Sequence, residues 1–279
     1  MNNKISVYGS TGFIGSRFCN MYSNDVIPID REKNNSKTSE ILYFISTTTN
    51  YNIFNDPFLD IETNLHKLIQ VLEANKDKKN LVFNFISSWF VYGKTKDIPA
   101  HEDTQCNPKG FYSITKRTAE QLLISYCETH SLKYRIFRLS NVIGETDMGV
   151  SKKKNALQYM IKNLAANETI QLYDGGEHIR DYMYVDDTCE AIMCCIKKAP
   201  TGEIINIGSG RPIKIKTIIE YCKNKLNSNS IVESVSPPNF HKIVQIENMY
   251  LDIRKLSDIG YTYKNNFWDA IDKIMEKAI

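Results

Sequence analysis

Tyr112 and Lys116 stand four residues apart, so on a helix they share one face a single turn apart. A phenol of ordinary pKa, about 10, is a poor base at neutral pH, and an ammonium held beside it favours the phenolate and lowers that pKa. Ser88 closes the region that begins with the apolar run Leu81-Val-Phe-Asn-Phe-Ile86, so a buried strand would deliver its hydroxyl to a sheet edge. There it would hydrogen-bond the substrate oxygen that Tyr112 protonates or deprotonates. A Tyr-x-x-x-Lys pair also arises as a plain surface pair, so its meaning depends on what positions it.

The positioning elements begin at the N-terminus. The run Ile5-Ser-Val-Tyr8 ends in Gly9, Gly12 and Gly15, and Phe13, Ile14 and Phe18 follow at helical spacing. A strand that enters a helix through a loop without side chains makes an anion site, because the helix N-terminal N–H groups and dipole face an approach that no Cβ blocks. Gly9 makes the tight turn, Gly12 the close approach and Gly15 the packing of helix on strand. These glycines are candidates for a dinucleotide pyrophosphate. The next apolar run, Val26 to Ile29, ends at Asp30, where a carboxylate accepts bonds from a free ribose 2′-hydroxyl and repels a 2′-phosphate. That favours NAD, while Arg31 would meet a 2′-phosphate if Asp30 turned away, which keeps NADP open. A nicotinamide beside Ser88 and Tyr112 would exchange hydride with the substrate.

The rest of the composition excludes more than it adds. The chain has 279 residues, 42% hydrophobic and 24% charged, with a net charge of +3, as expected of one large α/β unit with a satellite. Basic residues are dispersed, and the run Lys152-Lys153-Lys154 reads as the start of a solvated helix face, so nucleic acid is not an expected partner. Seven cysteines without a Cys-x-x-Cys pair and five separated histidines make neither a disulfide framework nor a metal site. No signal peptide and no apolar run of about 20 residues is present, so the expectation is a cytoplasmic protein without a membrane span.

Strand and helix patterns alternate along the chain, which predicts a Rossmann-type doubly wound parallel sheet with helices on both faces. After Asp30 only ten polar residues precede the strand Ile41 to Ile45, too few for the third strand usual in such a sheet, so one edge of the adenosine pocket should be open. Ser46 and Thr47 follow that strand at the ligand-binding edge. A helix is expected from Asp56-Pro57 to about Asn75, another from about Pro108 to Thr129, and a short strand at Met249 to Leu251. Residues 1–141 form the expected dinucleotide-binding domain, with 182–208 returning to its sheet. Residues 142–181 and 209–279 form a smaller substrate-binding lobe.

Taken together, these motifs resemble the extended short-chain dehydrogenase/reductases that act on nucleotide sugars, the epimerase/dehydratase group. The resemblance rests on Gly9-Ser-Thr-Gly12-Phe-Ile-Gly15, Asn64, Ser87-Ser88-Trp-Phe-Val-Tyr-Gly93, Tyr112-Ser-Ile-Thr-Lys116, Arg138-Leu-Ser-Asn141, Ile179-Arg180-Asp181 through Asp187, and Asn206-Ile-Gly-Ser-Gly210. It implies Gly9, Gly12, Phe13, Ile14 and Gly15, with Thr11, at the dinucleotide, and Ser88, Tyr112 and Lys116 as the catalytic triad, with Lys116 also on the nicotinamide ribose. It implies Asn141, Arg180 and Lys242 near the diphosphate of a nucleotide sugar, Lys242 standing where the family commonly has arginine. Trp89 and Phe90 occupy the two places where sugar dehydratases carry an Asp-Glu pair, and neither transfers a proton. The implied activity is an NAD-dependent epimerase working through a 4-keto sugar. The alternatives are a one-way reductase of 4-keto nucleotide sugars and a non-catalytic dinucleotide sensor. By the same resemblance the protein is expected to be a homodimer.

Overall fold

The computed structural model describes residues 4–147 and 149–278. The first half of the chain runs β1 (Ile5–Tyr8), α1 (Phe13–Met21), β2 (Val26–Ile29), β3 (Glu40–Tyr43), α2 (Leu59–Ile61), α3 (Lys67–Glu73), β4 (Val82–Ser88), α4 (Phe111–Thr129) and β5 (Lys133–Leu139). It continues through β6 (Asn141–Ile143), α5 (Ala156–Ala165), β7 (Ile170–Tyr173), β8 (Ile179–Arg180), β9 (Tyr182–Tyr184), α6 (Val185–Lys198) and β10 (Glu203–Ile207). The last stretch holds β11 (Ile213–Lys214), α7 (Ile215–Lys225), β12 (Val232–Val235), α8 (Asn239–Val244), α9 (Arg254–Asp258) and α10 (Phe267–Ala278).

Six strands make one parallel sheet in the order β10-β5-β4-β3-β1-β2. Its strands are short apolar runs because both faces are covered. Val7 joins Phe18 of α1 and Ile192 of α6 on one face, and its neighbour Tyr8 joins Leu68 of α3 and Leu123 of α4 on the other. The third strand is absent, as the sequence predicts, and β2 is the sheet edge. Pro28 suits that place, since proline has no N–H to offer another strand. The chain between β2 and β3 is instead tied down by polar bonds: the Tyr8 hydroxyl and Asn75 Nδ2 both donate to the Asn34 carbonyl, at 2.7 and 2.8 Å.

Beyond the sheet, α5, α7 and α10 bury Leu157, Ile161, Ile218, Cys222, Ile271 and Ile274 in a separate apolar cluster. Three two-stranded pairs, β6 with β9, β7 with β12 and β8 with β11, complete that region.

Four local features depart from expectation. The helix after Pro57 is not continuous, since α2 passes through a π turn, Glu62–His66, before α3 begins. Such turns widen the backbone, and this one carries Asn64, whose side chain is fully engaged. An unforeseen 3-10 turn, Asn50–Phe54, is capped by Thr49, whose Oγ1 accepts from the Tyr51 N–H at 3.2 Å. The strand at 249–251 reduces to a single bridge between Leu251 and Ala100. Lys152, Lys153 and Lys154 do not begin a solvated helix face: α5 starts at Ala156, and the three lysines lie in the preceding loop at the wall of a cavity.

Candidate active site

Parallel strands all end at one edge, and that edge receives Gly9 from β1, Ser46 and Thr47 just past β3, and Ser88 from β4. Helix α4 then crosses beside β4 and presents 112, 116 and 120 on one face. Successive residues of β4 point to opposite sides. Ser87 turns to Glu120, donating at 2.5 Å, and Ser88 turns to the cavity, where its Oγ accepts from the Phe90 N–H at 3.3 Å.

The Ser88 and Ser46 hydroxyls both act on the Tyr112 phenol, and the Phe90 ring is set edge-on to it at 6.1 Å. Burial pushes the phenol up to about 12, the two hydroxyls pull it back, and the Asp60 charge adds to the rise. Lys116 is only 2% exposed, donates to the Ile86 carbonyl at 2.6 Å and lies 4.1 Å above the Phe85 ring. Burial brings its amine down to about 7, against the opposing pull of Glu120. The expected lowering of the phenol by a charged lysine is therefore reversed. Desolvation penalises the charged form of each group and is the largest cause of both shifts. What results is a phenol and an amine whose protonation both respond to whatever charge enters the cavity.

Glu120 anchors this arrangement. Burial alone would raise its carboxyl, and Arg138, Ser87 and Arg117 together reverse that and hold it below the usual range. Arg138 donates to both of its oxygens, at 3.0 and 2.8 Å.

A cavity of about 990 Å³ runs from the glycine turn past this group to the second lobe. Gly9, Gly12, Phe13, Ile14, Gly15, Ser46, Thr47, Ser88, Trp89, Phe90, Tyr112, Lys116, Asn141, Arg180 and Lys242 all line it. Thr11, Asp30 and Arg31 do not: the Asp30 side chain is 78% exposed and pairs with Lys33 at 3.3 Å. Without an outer strand, nothing folds the post-β2 segment over the cavity. At the far end Arg180 donates to the carbonyls of Ile179 and Glu247, at 2.9 and 2.6 Å, and its guanidinium lies 5.6 Å from the Trp89 ring. Asn141 Nδ2 donates to the Asp181 carbonyl at 2.9 Å. Lys242 sits on α8, and its carbonyl accepts from Lys94 Nζ at 2.7 Å.

Other motif residues hold structure. Asp181 accepts from the Ser209, Gly210 and Leu251 backbones, and Asp187 from Tyr261 and the 264–265 segment. Asn64 accepts from the Thr47 N–H at 2.8 Å and donates to Thr47 and Thr115, which locks the post-β3 edge to α4. Asp60, fully buried beside this network, escaped the sequence reading, although it precedes Asn64 by one helical turn and shares its face.

The glycine turn fits a dinucleotide. Gly9 has φ +76°, and a Cβ on Gly15 would lie 2.2 Å from the Gly9 carbonyl oxygen, so both are required by the fold itself. A Cβ on Gly12 would meet only that oxygen, at 3.4 Å. The space at Gly12 is left open at the N-terminus of α1, whose first turn holds no acidic residue.

Residues 47–208 match the family described as the NAD dependent epimerase/dehydratase family. The chain belongs to that family. Its relatives include a protein described as a putative UDP-glucose 4-epimerase from Methanocaldococcus jannaschii, 24% identical over 247 residues, which span 88% of this chain and 78% of that one. A second is the dTDP-4-dehydro-6-deoxyglucose reductase of Escherichia coli, 28% identical over 187 residues, spanning 67% of this chain and 57% of the reductase. Among solved structures, UDP-glucose 4-epimerase of Thermotoga maritima, determined with UDP-glucose, shares the fold at a TM-score of 0.89 and 20% identity, over 98% of each chain. Among the described residues no helix is long and apolar enough to cross a membrane, and no cluster of His, Cys, Asp and Glu is arranged to hold a metal.

Proposed function

We propose that the protein is an NAD-dependent nucleotide-sugar epimerase that works through a 4-keto sugar. The observation that carries this reading is one continuous cavity that joins the open glycine turn to Ser88, Tyr112 and Lys116 and then to Arg180 and Lys242. Gly12 to Gly15 would hold the pyrophosphate, Ser46 and Thr47 would face the nicotinamide, and Lys116 would reach its ribose. Asn141, Arg180 and Lys242 would hold the nucleotide diphosphate. Ser88 fixes the sugar hydroxyl oxygen while Tyr112 takes its proton, and Tyr112 returns that proton once the sugar has presented its other face. When bound, the nicotinamide supplies the hydride acceptor and donor for the two halves. Trp89 and Phe90, with ring centroids 4.1 Å apart and the rings tilted by 31°, make that wall apolar and offer no acid or base for removing water.

A second reading, an NAD(P)H-dependent reductase of 4-keto nucleotide sugars, is favoured by the exposed, lysine-paired Asp30, because an open adenosine end suits a cofactor that exchanges at each turnover. Denaturing the purified protein and identifying released nucleotide by chromatography separates the two. Stoichiometric NAD or NADH supports the epimerase. An empty protein that binds added NADPH more tightly than NADH supports the reductase. A protein that neither carries nor binds a dinucleotide refutes both.

We read residues 1–141 with 182–208 as the dinucleotide-binding domain and the remainder as the substrate lobe, in a cytoplasmic homodimer. The dimer reading is supported by exposed apolar side chains on α2, α3 and α4, namely Leu59, Ile61, Ile69, Ile114 and Leu122, with Phe58 beside them.

A further inference from the structure

The cavity wall carries more positive charge than its acids neutralise. Among the described residues three acids line it, and each has a basic partner: Asp147 meets Lys154 at 3.5 Å, Asp174 meets His178 at 3.2 Å and Glu247 meets Lys94 at 4.0 Å. Beyond Lys116, the cavity is also lined by Arg180, Lys242, Lys152 and Lys153, which have no acidic partner among the described residues. The diphosphate of a nucleotide sugar brings one negative charge on each phosphate, and on the reading above Arg180 and Lys242 meet those. Lys152 and Lys153 remain, and the mechanism does not use them.

The backbone fixes where this pair stands. Ser151 and Lys154 exchange both N–H···O bonds, at 2.8 and 3.0 Å, so Lys152 and Lys153 are the two residues at the tip of a tight hairpin. The tip is tied to the sheet edge that serves Tyr112. Thr49 Oγ1 donates to the Lys153 carbonyl at 3.1 Å, and Thr49 follows Ser46 and Thr47 along the cavity wall. Lys153 Nζ lies 5.5 Å from the Tyr51 ring, which packs on Phe240 and His241 of α8 with ring centroids 5.1 and 5.6 Å away. Burial lowers the His241 imidazole, and the Arg180 and Lys152 charges lower it further. The hairpin tip, Arg180 and α8 therefore meet at one end of the cavity, beside the post-β3 edge.

We propose that Lys152 and Lys153 form a third anion subsite, for a carboxylate carried by the sugar, so that the substrate is a nucleotide-linked acidic sugar of the uronate class. Neighbouring like charges repel, and a carboxylate between them removes that cost and gains charge-assisted contacts. The tether through Thr49 places the pair on the sugar side, because Ser46 and Thr47 stand on the same edge. The inference rests on the nucleotide-sugar reading and narrows its substrate.

The test is a calorimetric titration of the full chain carrying Tyr112→Phe, which blocks turnover on that reading, with UDP-glucose and with UDP-glucuronate at about 0.15 M ionic strength. The two ligands differ only in a carboxylate in place of a hydroxymethyl group, so their affinity ratio cancels whatever the base contributes. The expected ratio favours UDP-glucuronate by about tenfold. Lys152→Gln combined with Lys153→Gln brings that ratio to about one and leaves UDP-glucose within about threefold of its affinity for the chain with both lysines. Equal affinities before the lysines are changed, or a ratio that the double substitution does not move, overturns the proposal. An equal loss for both sugars also overturns it, since that marks a field that draws in any nucleotide sugar. Binding of neither sugar overturns it together with the reading it rests on. UDP-glucose bound as tightly as UDP-glucuronate leaves the nucleotide-sugar reading standing, whereas turnover in the Tyr112→Phe protein removes the role of Tyr112 and leaves the affinity ratio as the measure of the subsite.

Discussion

At the scale of single residues, the pocket is governed by desolvation. Tyr112→Phe removes the oxygen proposed to transfer the proton and keeps the ring against Phe90, so kcat should fall roughly 10²–10⁴-fold with the fold intact by circular dichroism. Lys116 makes a stability prediction whose sign follows from its burial. Its native amine titrates near about 7, far below the 10.5 of the unfolded chain. Between those values the unfolded chain holds a proton that the native protein lacks, so stability rises with pH across this window; below it both states are charged and the penalty is full. Lys116→Met should therefore be more stable than the parent by on the order of 2 kcal/mol at about pH 7, with the gap narrowing toward pH 9.5. Tyr112 acts in the opposite sense, but only above its unfolded pKa of 10.0. Urea unfolding at the two pH values checks this, and a gap that does not change with pH contradicts it. The types and spacing of Ser88, Tyr112 and Lys116 were legible in the sequence. Their protonation was not, because it depends on which atoms exclude water.

At the scale of elements, the strand-to-helix turn separates two roles for glycine. Gly15 has no room for a Cβ, so Gly15→Ala should destabilise the fold, whereas Gly12 has extended backbone and space. Gly12→Val should leave the thermal midpoint nearly unchanged and cost about tenfold or more in dinucleotide affinity, measured by calorimetry. Equal affinity in the two proteins would remove the pyrophosphate assignment. Strands β1 to β5 and helices α1 and α4 followed from apolar runs bounded by polar turns, and the missing third strand followed from a gap too short to hold it. The π turn at 62–66 did not, because it arises from the engagement of Asn64 with Thr47 and Thr115 across elements. Helix α8 was equally hidden, since its six residues find burial only through Val244 against the rest of the lobe.

At the scale of the whole molecule, α2, α3 and α4 pack on the sheet yet leave Ile114 and Leu122 exposed at 42% and 37%. A homodimer that buries this face predicts that Ile114→Asp with Leu122→Asp shifts sedimentation from dimer to monomer at micromolar concentration; a parent protein that is already monomeric refutes it. The sequence by itself determined the parallel sheet, the glycine turn and the spacing of Ser88, Tyr112 and Lys116, because periodicity, glycine spacing and the four-residue step of a helix are local properties of the chain. Only the tertiary structure decided that Asp30 and Arg31 lie outside the cavity, that the lysine run 152–154 borders it, and that Asp60 is buried against Thr47 and Asn52. Each of these depends on chain segments far apart in sequence coming together, or failing to, and on the water that their meeting excludes.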